Sequence, residues 1–117
     1  GALPQPFVQS LAIAATEDEA IAAFYARRNY EPVWTGEADA RQRGALLSAL
    51  SRAADHGLPV QRYDAQALIA AFRAARTEGD RGRLEVRMTR AFLDFAGDIH
   101  SGALNPAKVD SGIVRKP

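Results

Sequence analysis

Phe24-Tyr25-Ala26-Arg27-Arg28-Asn29-Tyr30-Glu31-Pro32-Val33-Trp34 is the stretch on which the fold turns, and it holds two of the three tyrosines and the only tryptophan of the chain. Ile21, Phe24, Tyr25 and Arg28 fall at helical spacing. Asn29 tolerates the left-handed conformation that ends a helix. Pro32 drives Glu31 toward extended backbone. The segment therefore predicts a helix end followed by a strand-like arm, Tyr30 to Trp34, that carries a large aromatic side chain. Upstream, Thr16-Glu17-Asp18-Glu19 reads as a capping box, with Thr16 as N-cap and Glu19 reaching back.

Three more helices are expected downstream. One runs from about Ala38 to Asp55 on a stripe of Leu46, Leu47, Leu50 and Ala54. His56-Gly57-Leu58-Pro59 stops it: Gly57 is the left-handed cap, Leu58 folds back, and Pro59 prevents continuation. A second starts at Asp64 as N-cap and ends near Arg76, with Leu68, Ile69, Phe72 and Ala75 inward. The third and longest spans about Arg81 to Ser101, capped by Asp80, with Leu84, Met88, Ala91, Phe92, Phe95 and Ile99 on one face. Gly82 is costly inside a helix, so this one is expected to begin as late as Arg83. Residues 1–15 form an N-terminal segment in which Pro6 can open a short helix through Phe7, Leu11 and Ala14. Residues 16–106 form the helical domain, and 107–117 an extended tail leading toward a further domain. The fold class is all-α: a small bundle of four to five helices with an extended aromatic arm and an extended C-terminal tail.

Composition narrows the function. In 117 residues, 47% hydrophobic, the chain has one domain's worth of core. Fifteen basic and fourteen acidic residues leave a net charge of +1, which gives no drive toward nucleic acid. With no cysteine there is no thiol nucleophile, disulfide or Cys-based metal site. No apolar run approaches a membrane span. The opening Gly1-Ala2-Leu3, without Met, is expected of a trimmed chain whose targeting signal has been removed.

No catalytic constellation emerges. His56 and His100 sit in last helical turns, where a cation complements the helix dipole. The serines lack a nucleophile-elbow context. Asp94 and Asp98 share a helix face, but two carboxylates make a poor metal site, and a solvated face is preferred. Arg83, Arg87 and Arg90 line one face and suit carboxylates or phosphates; a solvated face paired with Glu85 and Asp94 is the preferred reading. Phe24, Tyr25, Trp34, Phe72, Phe92 and Phe95 are expected mostly in the core, with Trp34 either plugging the bundle or meeting a partner. No catalytic, cofactor or metal residue is assigned.

The ordered motifs resemble the scaffold domain of large bacterial L,D-transpeptidases. Phe24-Tyr25-x-x-Arg28-x-Tyr30-x-Pro32-x-Trp34 is similar to its opening aromatic segment. Gly57-Leu58-Pro59-x-x-x-Tyr63 is similar to its Gly-Leu-x-Pro step. Thr89-x-Ala91-Phe92 through Asp98-Ile99-x-x-Gly102, running on to Asn105-Pro106, is similar to its long helix and the segment after it. Phe95 stands where the family often has Tyr, and Ala103 and Asn105 where it often has Arg and Asp. The resemblance implies a periplasmic protein whose separate catalytic domain uses a cysteine thioester to form 3-3 links between peptidoglycan stem peptides. It also implies that this chain is a non-catalytic scaffold whose partners are the catalytic and peptidoglycan-binding modules of the same parent. The alternative is a free-standing adaptor in which Trp34, Tyr63, Arg83, Arg87 and Arg90 contact peptidoglycan or a periplasmic protein.

Overall fold

Pro6 lies in the first turn of Gln5–Ala15 (α1), where its missing N–H costs nothing. The computed structural model describes residues 2–104, so the expectations for Asn105-Pro106 and the 107–117 tail lie outside the described residues. After α1 come Glu19–Arg27 (α2), Ala40–Ser51 (α3), the single turn Val60–Tyr63 (α4), Ala65–Ala74 (α5) and Glu78–Leu104 (α6). The described residues contain no strand, and the fold is all-α as expected.

The helix ends follow local chemistry. Tyr30 N–H donates to the Tyr25 carbonyl at 2.8 Å and Asn29 N–H to Ala26, with Asn29 at φ 55°: a Schellman stop after α2. The same pair of bonds recurs at Leu58 to Ala53 and Gly57 to Ala54, with Gly57 at φ 76°. Asp64 caps α5 through the Ala67 N–H, as expected. Two caps move. Asp18, not Thr16, caps α2, accepting from Ala20 and Ile21 N–H, because Thr16 is still in the last turn of α1 and donates to the Ile13 carbonyl. At α6, Thr77 is the N-cap: its Oγ1 accepts from Asp80 N–H while Asp80 Oδ2 accepts from Thr77 N–H. This reciprocal pair starts the helix ahead of Gly79 and Gly82 and places both glycines inside it. The helix expected from about Ala38 to Asp55 ends early, at Ser51, and is followed by a 3₁₀ turn over 53–56 that turns Ala53 fully inward.

α6 is the axis of the molecule and is buried on two sides. Leu84, Met88 and Phe95 meet Leu46 and Leu50 of α3, Leu68 of α5, Leu58 and Tyr63. Val86 meets Phe7, Leu11 and Ala15 of α1 and Ile21 and Tyr25 of α2. Leu84 and Val86, two residues apart, point about 200° apart around a helix, so the single apolar face expected from sequence is one of two. Phe24, Phe72 and Phe92 correct the expected core: they are exposed at 36%, 36% and 42%. Phe72 lies on the rim of α5, with the Arg43 guanidinium stacked 4.2 Å from its ring centre.

Candidate functional site

A fully buried carboxylate organises the centre of the molecule. Glu85, on α6, is 0% exposed. Its Oε2 accepts from Tyr25 Oη at 2.6 Å and from Val33 N–H at 2.7 Å. Its Oε1 accepts from Trp34 N–H at 3.3 Å, Thr35 N–H at 3.1 Å and Thr35 Oγ1 at 2.8 Å. Five donors converge on two oxygens, so a buried carboxylate that would be prohibitive alone is satisfied. The arm after Pro32 is not paired to any strand among the described residues. Its backbone N–H groups are spent on this side chain instead.

One turn on, Thr89 completes a relay. Trp34 Nε1–H donates to Thr89 Oγ1 at 2.9 Å, and Thr89 Oγ1 lies 2.5 Å from Tyr25 Oη. With Tyr25 donating to Glu85, the hydroxyl of Thr89 is left to donate to Tyr25, and the chain of bonds runs from indole to carboxylate. Arg81 closes the outer side, donating to Thr35 Oγ1 at 3.2 Å, pairing with Glu78 at 2.7 Å, and stacking 4.0 Å from the centre of the Phe7 ring. Burial, and then the adjacent Glu85 charge, push the Tyr25 hydroxyl far above its ordinary range.

A second, smaller clasp sits lower on α6. Tyr63 Oη donates to Asp98 Oδ2 at 2.6 Å, and Arg62 Nε pairs with the same oxygen at 2.5 Å. The Tyr63 ring meets Phe95 edge-on at 5.3 Å, and His56 meets Phe95 from another side at 6.0 Å. Burial, and then the hydrogen bond to Asp98, push the Tyr63 hydroxyl up to about 12. Asp98 is thus a structural acceptor and not part of a solvated face.

Both tyrosines are held neutral by the fold, with folded values above the unfolded value of about 10. Their contribution is therefore complete below pH 10 and is lost as pH rises through the folded values. Stability should hold to about pH 10 and then fall, with a slope of up to about 1.4 kcal/mol per pH unit for each tyrosine. Urea unfolding between pH 8 and 11.5 measures this, and Tyr25→Phe with Tyr63→Phe should flatten the decline. A flat profile in the parent chain would contradict it.

The residues singled out from sequence do not form one site. Trp34 is 7% exposed and Tyr63 4%, in separate clasps. Arg83 is exposed and bonded to Asp80 at 2.7 Å. It shares a shallow cleft of about 310 Å³ with Arg87 over Ala71, Ala74 and Ala75. Arg90 is half-buried and does not line that cleft. Glu85, expected as a partner for this arginine face, points the other way into the core. Among the described residues no cluster of His, Asp or Glu could hold a metal ion, and no helix is long and apolar enough to cross a membrane.

Sequence reasoning placed Glu85 on the surface and gave Thr89, quoted in the long-helix motif, no role of its own. Their signal is a polar pair one turn apart, flanked by Leu84, Val86 and Met88, in a chain whose buried Tyr and Trp each need a polar partner. No curated protein and no solved structure matches the chain. A family model described as a scaffold domain matches residues 19–117, from the start of α2 onward. That match supports a non-catalytic scaffold role. It spans both clasps and the whole of α6, and the chain belongs to the scaffold domain family.

Proposed function

We propose that the chain is the helical scaffold of a periplasmic L,D-transpeptidase, holding catalytic and peptidoglycan-binding modules in place for 3-3 cross-linking of stem peptides. The observation that carries the reading is where the three motif segments meet. Tyr25 and Trp34 of the first are bonded to Thr89 of the third, and Tyr63 of the second to Asp98 of the third. The residues that give the chain its resemblance to these enzymes are thus the ones that clamp it into one body. Tyr25, Thr35, Glu85, Thr89, Tyr63 and Asp98 are all engaged in those clamps. Acyl transfer through a cysteine thioester would belong to the separate catalytic module.

Incubation with tetrapeptide muropeptides, read by liquid chromatography and mass spectrometry, tests this. The 117-residue chain should form no 3-3 dimers, while the full product of its gene should form them. Dimers made by the chain alone would overturn the scaffold role. A full-length product lacking a His…Ser-His-Gly-Cys sequence would overturn the enzyme context.

A further inference from the structure

The face of α6 that receives the aromatic arm does not end where the arm ends. Glu85 and Thr89 are covered by Tyr25, Val33 and Trp34, but the same stripe continues at helical spacing through Phe92, Leu93 and Ala96. Phe92 is exposed at 42% and Leu93 at 45%, and Ala96 is exposed as well. Across from them, Phe24 of α2 is exposed at 36%. Between α2 and α6 lies a groove of about 420 Å³ whose floor includes Trp34 and Thr89 and whose walls include Phe24, Arg27, Phe92 and Leu93. The Phe92 and Trp34 rings lie 5.8 Å apart, so the exposed wall is packed directly on the clamp.

The rim of this apolar groove is cationic. Arg27 lines it, exposed and without an ion pair among the described residues. Arg28, which does not itself line the groove, sits 5.4 Å over the ring of the wall residue Phe24 and donates to the Glu31 and Pro32 carbonyls, which fixes a second positive charge against that wall. The area distinguishes among occupants. Two phenyl rings and a leucine at these exposures present on the order of 250 Å². A stable dimer needs roughly 800 Å² from each copy, so a second copy of this chain is too large a partner for the patch alone. A short segment laying down one or two large side chains fits it.

We propose that the α2–α6 groove is a docking site for a short protein segment that presents large apolar side chains at i and i+4 beside carboxylates, which meet Arg27 and Arg28. The segment extends the bonded interface between the arm and α6 down the same stripe, in the manner of an amphipathic helix in a groove. The site stands independently of the transpeptidase context.

The probes are 14-residue acetylated peptides with Leu and Trp at i and i+4, flanked by Glu in one set and by Lys in a matched set. Binding to the ¹⁵N-labelled chain is followed by amide shifts. The Glu peptides should move amides around Phe24, Arg27, Phe92 and Leu93 and bind at least about tenfold tighter than the Lys peptides. Arg27→Glu should reverse that preference, and Leu93→Asp should abolish binding of both sets. Both positions are exposed, and circular dichroism of each variant checks that the fold is intact. Equal binding of the two sets, no binding at millimolar peptide, or shifts mapping elsewhere would each overturn the proposal. So would a Leu93-dependent dimer in sedimentation, or Leu93-dependent capture on anionic lipid vesicles in preference to the peptides.

Discussion

Glu85→Ala is expected to lower the unfolding free energy by about 4 kcal/mol, enough to leave the chain marginally folded or unfolded at room temperature. The substitution does more than remove a buried side chain. It strands Tyr25 Oη, Thr35 Oγ1 and the N–H groups of Val33, Trp34 and Thr35, all of which now end on the carboxylate. Each buried donor without a partner costs about 1–3 kcal/mol, and water entering the vacated space recovers part of that. Glu85→Gln separates charge from shape. One carboxylate oxygen remains as an acceptor, but the new amide N–H₂ faces donors where an acceptor stood, so an intermediate loss of about 2 kcal/mol is expected. Urea unfolding followed by Trp34 fluorescence is the measurement, because the indole Nε1–H is bonded to Thr89 in the same relay. A loss below about 1 kcal/mol for Glu85→Ala would mean that the arm holds its place without the clamp.

The contrast between what sequence made legible and what it did not follows the range of the interactions. The stops at Asn29 and Gly57-Leu58 and the cap at Asp64 were readable because each is closed by bonds within about five residues. The misplaced caps at Thr16 and Asp80 were near misses of the same kind: the correct acceptors, Asp18 and Thr77, are two and three residues away, in short runs that offer more than one capping side chain. Glu85 was hidden for a different reason. Its partners lie fifty to sixty residues earlier in the chain. Placed between Arg83 and Arg87, a glutamate fits an ion-paired surface equally well, and only tertiary structure separates the two. Phe92 erred in the opposite direction. Its spacing matches the buried Leu84–Phe95 face, yet it lines the groove between α2 and α6, with Trp34 against one side of its ring and 42% of the residue left exposed. The resemblance reached the right segments because its motifs name the arm, the Gly57 step and the long helix. Its motifs include Thr89 and Asp98, which join those segments, but not Glu85.

Gly82→Ala is expected to destabilise the chain by about 2–3 kcal/mol, even though alanine is the better helix former by about 1 kcal/mol. A Cβ at Gly82 would come within 2.0 Å of Ser10 Oγ, 2.6 Å of the Phe7 carbonyl oxygen and 2.9 Å of Leu11 N. Two of these are backbone atoms of α1, which rotation of a side chain cannot move away. To accept the methyl group, α1 must lift off α6. That would loosen the packing of Phe7 and Leu11, both 0% exposed, and the stacking of Arg81 on Phe7. The glycine that looked like a reason to start the helix late is thus the point where two helix backbones touch, and the helix bears its propensity cost for that contact. Gly44, in the exposed middle of α3, supplies the opposite sign. A Cβ there meets nothing within 4 Å, so Gly44→Ala should stabilise by about 0.5–1 kcal/mol. Ser10→Gly in the Gly82→Ala background should restore little, because the Phe7 and Leu11 backbone contacts remain. Thermal and urea unfolding of the three variants decide the matter. If Gly82→Ala proves neutral, or Ser10→Gly rescues it fully, the close backbone contact between α1 and α6 is not what selects glycine at this position.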